Sequence, residues 1–280
     1  MSVTFRLNRL FATDGRCCEV ALDHGVHNEP SFLPGIENLS SVVDKLVEGG
    51  ADAILLSMGQ AHLLQEHRGR QKPSLVVRSD PTNFYGKPAP ASLFCHLLEH
   101  AVERAVALDA AALVTNLMWA SDASELHREC VGNISRLKVE CENLGMPLIV
   151  EPLLWRRDDV TGAYIFNPDA SRYAALIRHA VELGADIIKA DPSENPSDYD
   201  QILQNASGKP VLLRGGSRVS DHELLSRTHA LMKLGAAGVV YGRNIYQHQQ
   251  PKTMLAACSA IVHAGASVEE AEAMLGVMEK

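Results

Sequence analysis

The sequence predicts an α/β fold, a single (β/α)8 TIM barrel in which eight parallel strands close into a cylinder and helices cover its outer face. Short apolar runs alternate with longer amphipathic segments along the chain. The apolar runs recur roughly every thirty residues, which is typical of β-α-β units. Several helix-length segments also end at a glycine just before the next strand, as in 183–186, and glycine suits a helix C-cap.

The predicted elements follow in chain order. The strands are expected at 19–22, 53–57, 74–78, 112–116, 148–151, 186–190, 210–214 and 238–241. Helices are expected at 39–48, 93–107, 123–144, 170–183 and 221–234. The segment 251–278 is expected to hold the eighth helix and an extra C-terminal helix at about 266–278. We therefore expect one domain that spans residues 1–280.

Two long loops are expected at the carboxyl ends of strands, at 81–90 and 155–168, and such loops build the active sites of barrels. An open doubly wound sheet is the alternative fold. It requires a glycine-rich loop after the first strand. The chain has Leu22-Asp23-His24-Gly25 there, without a GxGxxG motif, and this favours the barrel.

Composition limits the classes of function. Of the 280 residues 46% are hydrophobic and 21% are charged, which argues against disorder, and the net charge of −8 argues against nucleic-acid binding. The six cysteines form no CxxC pair, so we expect reduced thiols and a cytoplasmic protein. No apolar run is long enough to cross a membrane, and the first nine residues do not have the pattern of a signal peptide.

Lys189 is the residue that points most directly to chemistry. It lies near the carboxyl end of the apolar run Ile187-Ile188-Lys189-Ala190. Burying an ammonium group is costly, so such a lysine either pairs with a carboxylate or loses its proton and becomes a nucleophile. Asp191 is two residues further on and should point the same way, so a structural Lys–Asp pair is the alternative interpretation.

Other polar residues are predicted at the same rim of the barrel. Asp23 and His24 follow the first strand, and Glu151 ends the fifth. Asp23 either contacts a substrate hydroxyl or caps the next turn, and His24 either binds substrate or holds the loop. Glu151 either exchanges protons with the substrate or forms a buried pair with an arginine such as Arg156.

Two glycine-bearing strand ends predict a phosphate site. Gly215 and Gly216 follow the seventh strand, and Gly242 and Arg243 follow the eighth. Barrels commonly bind phosphate there, on backbone N–H groups that glycine leaves accessible. Arg214 and Arg243 would add charge-assisted hydrogen bonds.

One histidine pair has the spacing of a metal site. His96 and His100 are four residues apart within the predicted helix 93–107, a spacing found in some zinc sites. That helix lies on the outer layer, and the sequence offers no third ligand, so we expect no metal.

These residues together resemble a known family. Asp23-His24-Gly25, Lys189, Arg214-Gly215-Gly216 and Gly242-Arg243-Asn244 are similar to the Schiff-base class I aldolases. Within that class the chain resembles archaeal-type fructose-bisphosphate aldolases and the autoinducer-2 phosphate thiolase, and more distantly deoxyribose-phosphate aldolase. The segment Glu151-Pro152-Leu153-Leu154-Trp155 instead resembles tagatose-bisphosphate and sulfosugar-phosphate aldolases. The exact sugar and the acid/base group therefore stay open.

The resemblance implies an aldehyde-lyase that needs no metal or organic cofactor. Lys189 would form the imine, Asp23 and Glu151 would be catalytic, and Arg214, Gly215, Gly216, Gly242, Arg243, His24 and Asp191 would bind the phosphorylated sugar. The family implies a homo-oligomer, such as a decamer. The alternative functions are acyl transfer from a phosphorylated diketone to coenzyme A, and sugar-phosphate binding without catalysis.

Overall fold

The protein forms a closed barrel of parallel strands. A computed structural model of the chain describes residues 2–69, 71–191 and 198–276. Its strands are β1 Cys17–Ala21, β2 Ala53–Ser57, β3 Ser74–Arg78, β4 Ala112–Trp119, β5 Leu148–Arg157, β6 Tyr164–Phe166, β7 Ile187–Ala190, β8 Val211–Arg214 and β9 Gly238–Tyr241. Strand β1 pairs with both β2 and β9, and β4 pairs with β5, so the eight parallel strands close a ring. The predicted TIM barrel is confirmed.

Helices surround this ring. They are α1 Thr4–Leu10, α2 Leu39–Glu48, α3 His62–Gln65, α4 Ala101–Ala107, α5 Ser124–Leu144, α6 Ala170–Glu182, α7 Tyr199–Asn205, α8 Asp221–Lys233, α9 Arg243–Tyr246, α10 Pro251–Ser259 and α11 Val268–Gly276. A π-helical turn, Ala260–Ala264, continues α10. None of the described helices is long and apolar enough to cross a membrane.

Most predicted strands and helices match the observed ones to within two residues at each end. Strand β4 runs three residues further than predicted, to Trp119, and the helices α1, α3, α7 and α9 are not among the predicted ones. Two stretches differ more. Strand β5 runs on to Arg157 and turns back through the antiparallel strand β6, in the stretch predicted as a loop. The predicted helix 93–107 is wrong over its first part, because α4 begins only at Ala101. Before it the chain is held down by a bridge between Thr82 and Cys95, and His100 has a positive φ of 52° at the helix N-cap.

The shortened helix removes the basis of the histidine pair. His96 lies on the irregular segment and His100 at the N-cap, so the two imidazoles do not share a helix face. Both side chains are exposed. No group of three or more potential metal ligands occurs within the described ranges.

The interior of the barrel changes character along its axis. Alternate residues of a strand point inward, and the lower inward positions form an apolar cluster that includes Ala53, Val76, Ile149, Ile187 and Leu212. Helix α1 packs against the bottom of this cluster through Leu10. Two residues further along several of these strands the inward side chains are charged, and these form the candidate site.

Candidate active site

Four strand ends bring Lys189 together with charged partners at the mouth of the barrel. Lys189, on β7, is 5% exposed, and its Nζ lies 3.1 Å from Oε2 of Glu151 on β5. Glu151 is 2% exposed. The structural alternative for Lys189, a pair with Asp191, is wrong, because Asp191 pairs with Arg214 instead. The lysine therefore lies inside the cylinder, as predicted, but its partner is a carboxylate from another strand.

Arg78, at the end of β3, is the central cation of the site and is not among the residues predicted from the sequence. Its Nε donates to Oδ2 of Asp23 at 2.7 Å, and its Nη2 donates to Oε2 of Glu151 at 2.7 Å. A third donor, Nη1, contacts Oδ1 of Asn116 at 3.1 Å. Arg78 could have been identified from the sequence, because it ends a predicted strand. It also lies two residues after Val76 and therefore points to the same side of that strand.

Arg214 links the remaining carboxylates. Its Nε lies 3.1 Å from Oε1 of Glu151, and its Nη1 donates to Oδ1 of Asp191 at 2.7 Å. Glu151 thus contacts two arginines and Lys189. The predicted alternative partner, Arg156, is exposed and is not among these contacts.

These contacts keep two carboxylates ionised. Burial alone would raise the pKa of Glu151, but Lys189 and the two arginines outweigh it and hold that pKa well below its usual range. Burial likewise acts to raise the pKa of Asp23, and Arg78 and Lys189 lower it well below its usual range. Asp191 differs, because its burial prevails over Arg214 and raises its pKa. At neutral pH Asp23 and Glu151 are therefore hydrogen-bond acceptors.

Two adjoining cavities open above these groups. The lysine cavity has a volume of about 40 Å³, and its walls include Lys189, Glu151, Asp23, Arg78 and Tyr85. The outer cavity has a volume of about 490 Å³ and is lined by aromatic rings together with Lys87, Arg227 and Asp191. Phe32, Tyr85, Arg214, Gly216 and Arg243 belong to the walls of both. A substrate that reaches Lys189 therefore passes the arginines.

The predicted phosphate-binding residues line the lysine cavity. Gly216 has a φ of 64°, which favours glycine, and a Cβ on Gly242 would collide with the imidazole of His24. The loop is fixed by side chains, since Arg243 Nη2 donates to the Gly216 carbonyl at 2.8 Å and Asn244 Nδ2 to the Gly215 carbonyl at 3.0 Å. Nε of Arg243 is buried and has no partner among the described residues.

His24 sits beneath this loop as a neutral ring. It packs edge-on against Phe32 and Tyr246, with ring centroids 5.4 and 5.2 Å apart. Burial lowers the pKa of His24 to about 3. The geometry fits a packing role, since a charged imidazole is disfavoured there and the buried Nδ1 has no hydrogen-bond partner among the described residues.

Two further buried groups were not found from the sequence. Glu19, on β1, is 1% exposed, and burial raises its pKa to about 7 while Lys189 opposes the shift. His27 follows β1, and burial lowers its pKa to about 4. Side chains alternate along a strand, so Glu19, four residues before Asp23, is expected to point to the same side as Asp23. This spacing could have identified Glu19 from the sequence.

The chain is similar to proteins of known family and structure. A family model described as DeoC/LacD family aldolase matches residues 17–248. An uncharacterised aldolase of Saccharolobus solfataricus is 33% identical, over 95% of this chain and 96% of its own. A 2-amino-3,7-dideoxy-D-threo-hept-6-ulosonate synthase of Halobacterium salinarum is 29% identical, over 98% of this chain and 97% of its own. The crystal structure of an archaeal fructose 1,6-bisphosphate aldolase superposes with a TM-score of 0.77 at 23% identity, covering 94% of this chain and 100% of that one.

Proposed function

The chain belongs to the DeoC/LacD family of aldolases, and on that premise we propose that it makes or breaks a carbon–carbon bond in a phosphorylated ketose through an imine at Lys189. The observation that carries this proposal is the placement of Lys189. Its side chain is 5% exposed and lines the lysine cavity, beside an ionised carboxylate and below the glycine loops.

The chemistry follows from a primary amine in that position. The uncharged amine adds to the ketone carbon, and loss of water leaves a protonated imine. The imine then accepts the electron pair of the bond between its α-carbon and the hydroxyl-bearing β-carbon. That bond breaks, the hydroxyl gives its proton to a base, and an enamine and an aldehyde remain. Because the imine itself accepts the electrons, the proposed reaction needs no metal, and activity should survive treatment with EDTA.

Glu151 and Asp23, as ionised carboxylates, balance positive charge and accept hydrogen bonds in the proposed reaction. Glu151 lies 3.1 Å from Nζ, so it orients the amine and balances the positive charge of the imine. Asp23 is held by Arg78 and faces the lysine cavity, where it accepts a hydrogen bond from a substrate hydroxyl. Each carboxylate is thus fixed by an arginine before substrate arrives.

The phosphate group is assigned to the glycine loops. Gly216 has open space where a side chain would stand, and the unpaired Nε of Arg243 supplies a donor for an anion. Arg214 adds positive charge while Asp191 holds its guanidinium in place. His24 supports Gly242 from below.

Borohydride trapping tests the proposal. The protein is reduced in the presence of a panel of phosphorylated ketoses and diketones and analysed by mass spectrometry. We expect one reduced adduct, on the peptide that contains Lys189. The Lys189→Met variant should give none, and the matched Lys87→Met variant, which loses a lysine of the outer cavity, should be trapped like the wild type.

The same panel separates the alternative functions. Product formation that depends on added coenzyme A would favour acyl transfer over aldol cleavage. Ligand binding without any adduct in the wild type would contradict the imine mechanism and leave a binding protein.

The site of action and the assembly are also proposals. We propose a cytoplasmic homo-oligomer, such as a decamer. All six cysteines are free and buried, which fits a reducing compartment, and Phe5 and Phe94 are partly exposed apolar side chains that a subunit interface would cover. Light scattering after size-exclusion chromatography tests the assembly, and a monomeric mass would contradict it.

A further inference from the structure

Tyr85 is a hydroxyl-bearing residue at the junction of the two cavities. It lines both the lysine cavity and the outer cavity. Within the described walls of the lysine cavity it is the one residue with a hydroxyl group. The described groups that act most strongly on its hydroxyl do so through charge and not through a hydrogen bond, so the hydroxyl is available to a ligand.

The loop after β3 holds Tyr85 firmly. Asn83 closes the loop, because its Nδ2 donates to the Ser92 carbonyl at 2.8 Å and its Oδ1 accepts from the Phe94 amide at 2.9 Å. The ring of Tyr85 packs against four others, those of His27, Phe32, Trp155 and Phe84, at centroid distances of 5.0, 5.3, 6.0 and 6.3 Å. The hydroxyl is therefore placed by a fixed scaffold.

The other groups of the lysine cavity cannot easily give up a proton at neutral pH. Asp23 and Glu151 are ionised, because Lys189 and the arginines hold the pKa of each carboxyl well below its usual range. His24 and His27 are neutral, because burial lowers the pKa of each ring to about 3 and about 4. Arginines do not act as acids in this range. Asp191 lines only the outer cavity, and its Oδ1 is already bound to Arg214.

We propose that Tyr85 is a catalytic residue that donates the proton needed to expel water from the carbinolamine at Lys189. This inference rests on the proposed function, since it assumes the imine. The carbon–oxygen bond of the carbinolamine breaks, its hydroxide takes the phenolic proton, and water, a protonated imine and a tyrosinate remain. Cleavage of the carbon–carbon bond then releases a proton from the substrate hydroxyl, which returns to the tyrosinate.

The charges around Tyr85 match this cycle. Burial raises its pKa above its usual range, so the phenol is fully protonated before substrate binds. Arg214 and Arg78 act in the opposite direction and stabilise the tyrosinate once it forms, whereas Glu151 and Asp191 oppose them. Asp23 keeps the substrate hydroxyl oriented while its proton is transferred.

The Tyr85→Phe variant tests the inference, with Tyr164→Phe as the matched control. Phenylalanine keeps the ring that packs on its neighbours, and Tyr164 lines only the outer cavity, where it stacks on Phe84 at 4.4 Å. In Tyr85→Phe we expect kcat to fall roughly 100-fold or more while KM stays close to that of the wild type. Borohydride should trap the imine correspondingly more slowly. Tyr164→Phe should behave like the wild type in all three measurements.

The outcomes separate this inference from the proposed function. If the wild type forms no adduct at Lys189, the proposed function fails and the role of Tyr85 fails with it. If the wild type is trapped but Tyr85→Phe retains kcat within threefold, only the role of Tyr85 is overturned. A variant with raised KM and unchanged kcat also overturns it, because it shows a binding residue. Thermal denaturation of both variants checks that each is folded.

Discussion

The lower and upper halves of the barrel interior are built from the same strands but contain opposite kinds of side chain. Ile149, Ile187 and Val76 belong to the apolar cluster in the lower half. Two residues further along their strands stand Glu151, Lys189 and Arg78, all less than 6% exposed. Two residues along each strand, the distance from one inward side chain to the next, therefore separate the apolar core from a ring of ion pairs.

The two halves differ in how they affect stability. Full burial of an aliphatic side chain stabilises the fold by about 1.5–3 kcal/mol. Burying a charge costs several kcal/mol, and its partners at best roughly offset that cost. The lower half thus holds the barrel closed, whereas the ionic ring is explained by the chemistry it positions. Variants that disrupt only one of the two halves should therefore separate stability from chemistry.

Loss of Arg78 should have the largest effect. The Arg78→Met variant leaves Asp23 buried without its main cation and removes one of the three cations around Glu151, and we expect it to lose about 3–5 kcal/mol of unfolding free energy and to form no imine. Chemical denaturation and borohydride trapping measure the two effects. Arg156→Met, which removes an exposed arginine, serves as the control.

The stability loss in Arg78→Met should depend on pH. In the wild type both carboxylates have a folded-state pKa below the unfolded value, so their contribution is present above about pH 4–5 and declines as the pH falls. The difference between variant and wild type should therefore be greatest at neutral pH and shrink in acid. A difference that is constant with pH would contradict the ionic assignment.

A cavity in the lower half should destabilise without touching the chemistry. Ile187 is fully buried in the apolar cluster, and Ile187→Ala should cost about 2–5 kcal/mol of unfolding free energy. Trapping per folded molecule should stay near the wild-type level at low temperature. Loss of trapping in folded protein would show that the two halves are not separable.

Removing the charge of Arg243 should weaken substrate binding. The side chain lines both cavities and its Nε is unpaired, so Arg243→Gln should raise KM by roughly 10- to 100-fold with a smaller change in kcat. Steady-state kinetics and titration with inorganic phosphate measure this. Unchanged phosphate affinity would remove Arg243 from the proposed anion site.

The smallest effect is expected at the far end of the barrel. His263 bonds Asp52 at 2.9 Å and Asp14 at 2.8 Å, and despite partial burial these contacts raise its pKa to about 9. A raised folded-state pKa gives stability that is full below about pH 6.5 and is lost as the pH rises through 9. His263→Gln should remove that pH-dependent step, less than about 1 kcal/mol because the site is partly exposed, and leave kcat unchanged. Thermal melts between pH 6 and 10 measure it.

Much of the fold could be read from the sequence because its signals are local. Apolar runs gave the strands β2, β3 and β9 with their observed bounds, and the amphipathic segment 39–48 gave α2. The prediction of a helix at 93–107 was wrong over its first part, because a bridge between Thr82 and Cys95 holds the chain away from helical geometry. Strand β6 was missed because three residues carry too little periodicity to predict a strand.

The sequence by itself determined the barrel, the inward lysine and the glycine-bearing strand ends, since each is encoded in the alternation along one strand or the residues just after it. The partners of Lys189, the central place of Arg78 and the approach of Tyr85 were decided only by the tertiary structure. Each of these contacts joins residues that lie far apart in the chain, and they meet because closing the ring brings the carboxyl ends of all eight strands to one mouth. Spacing along a chain specifies which way a side chain points, but not which side chain it meets.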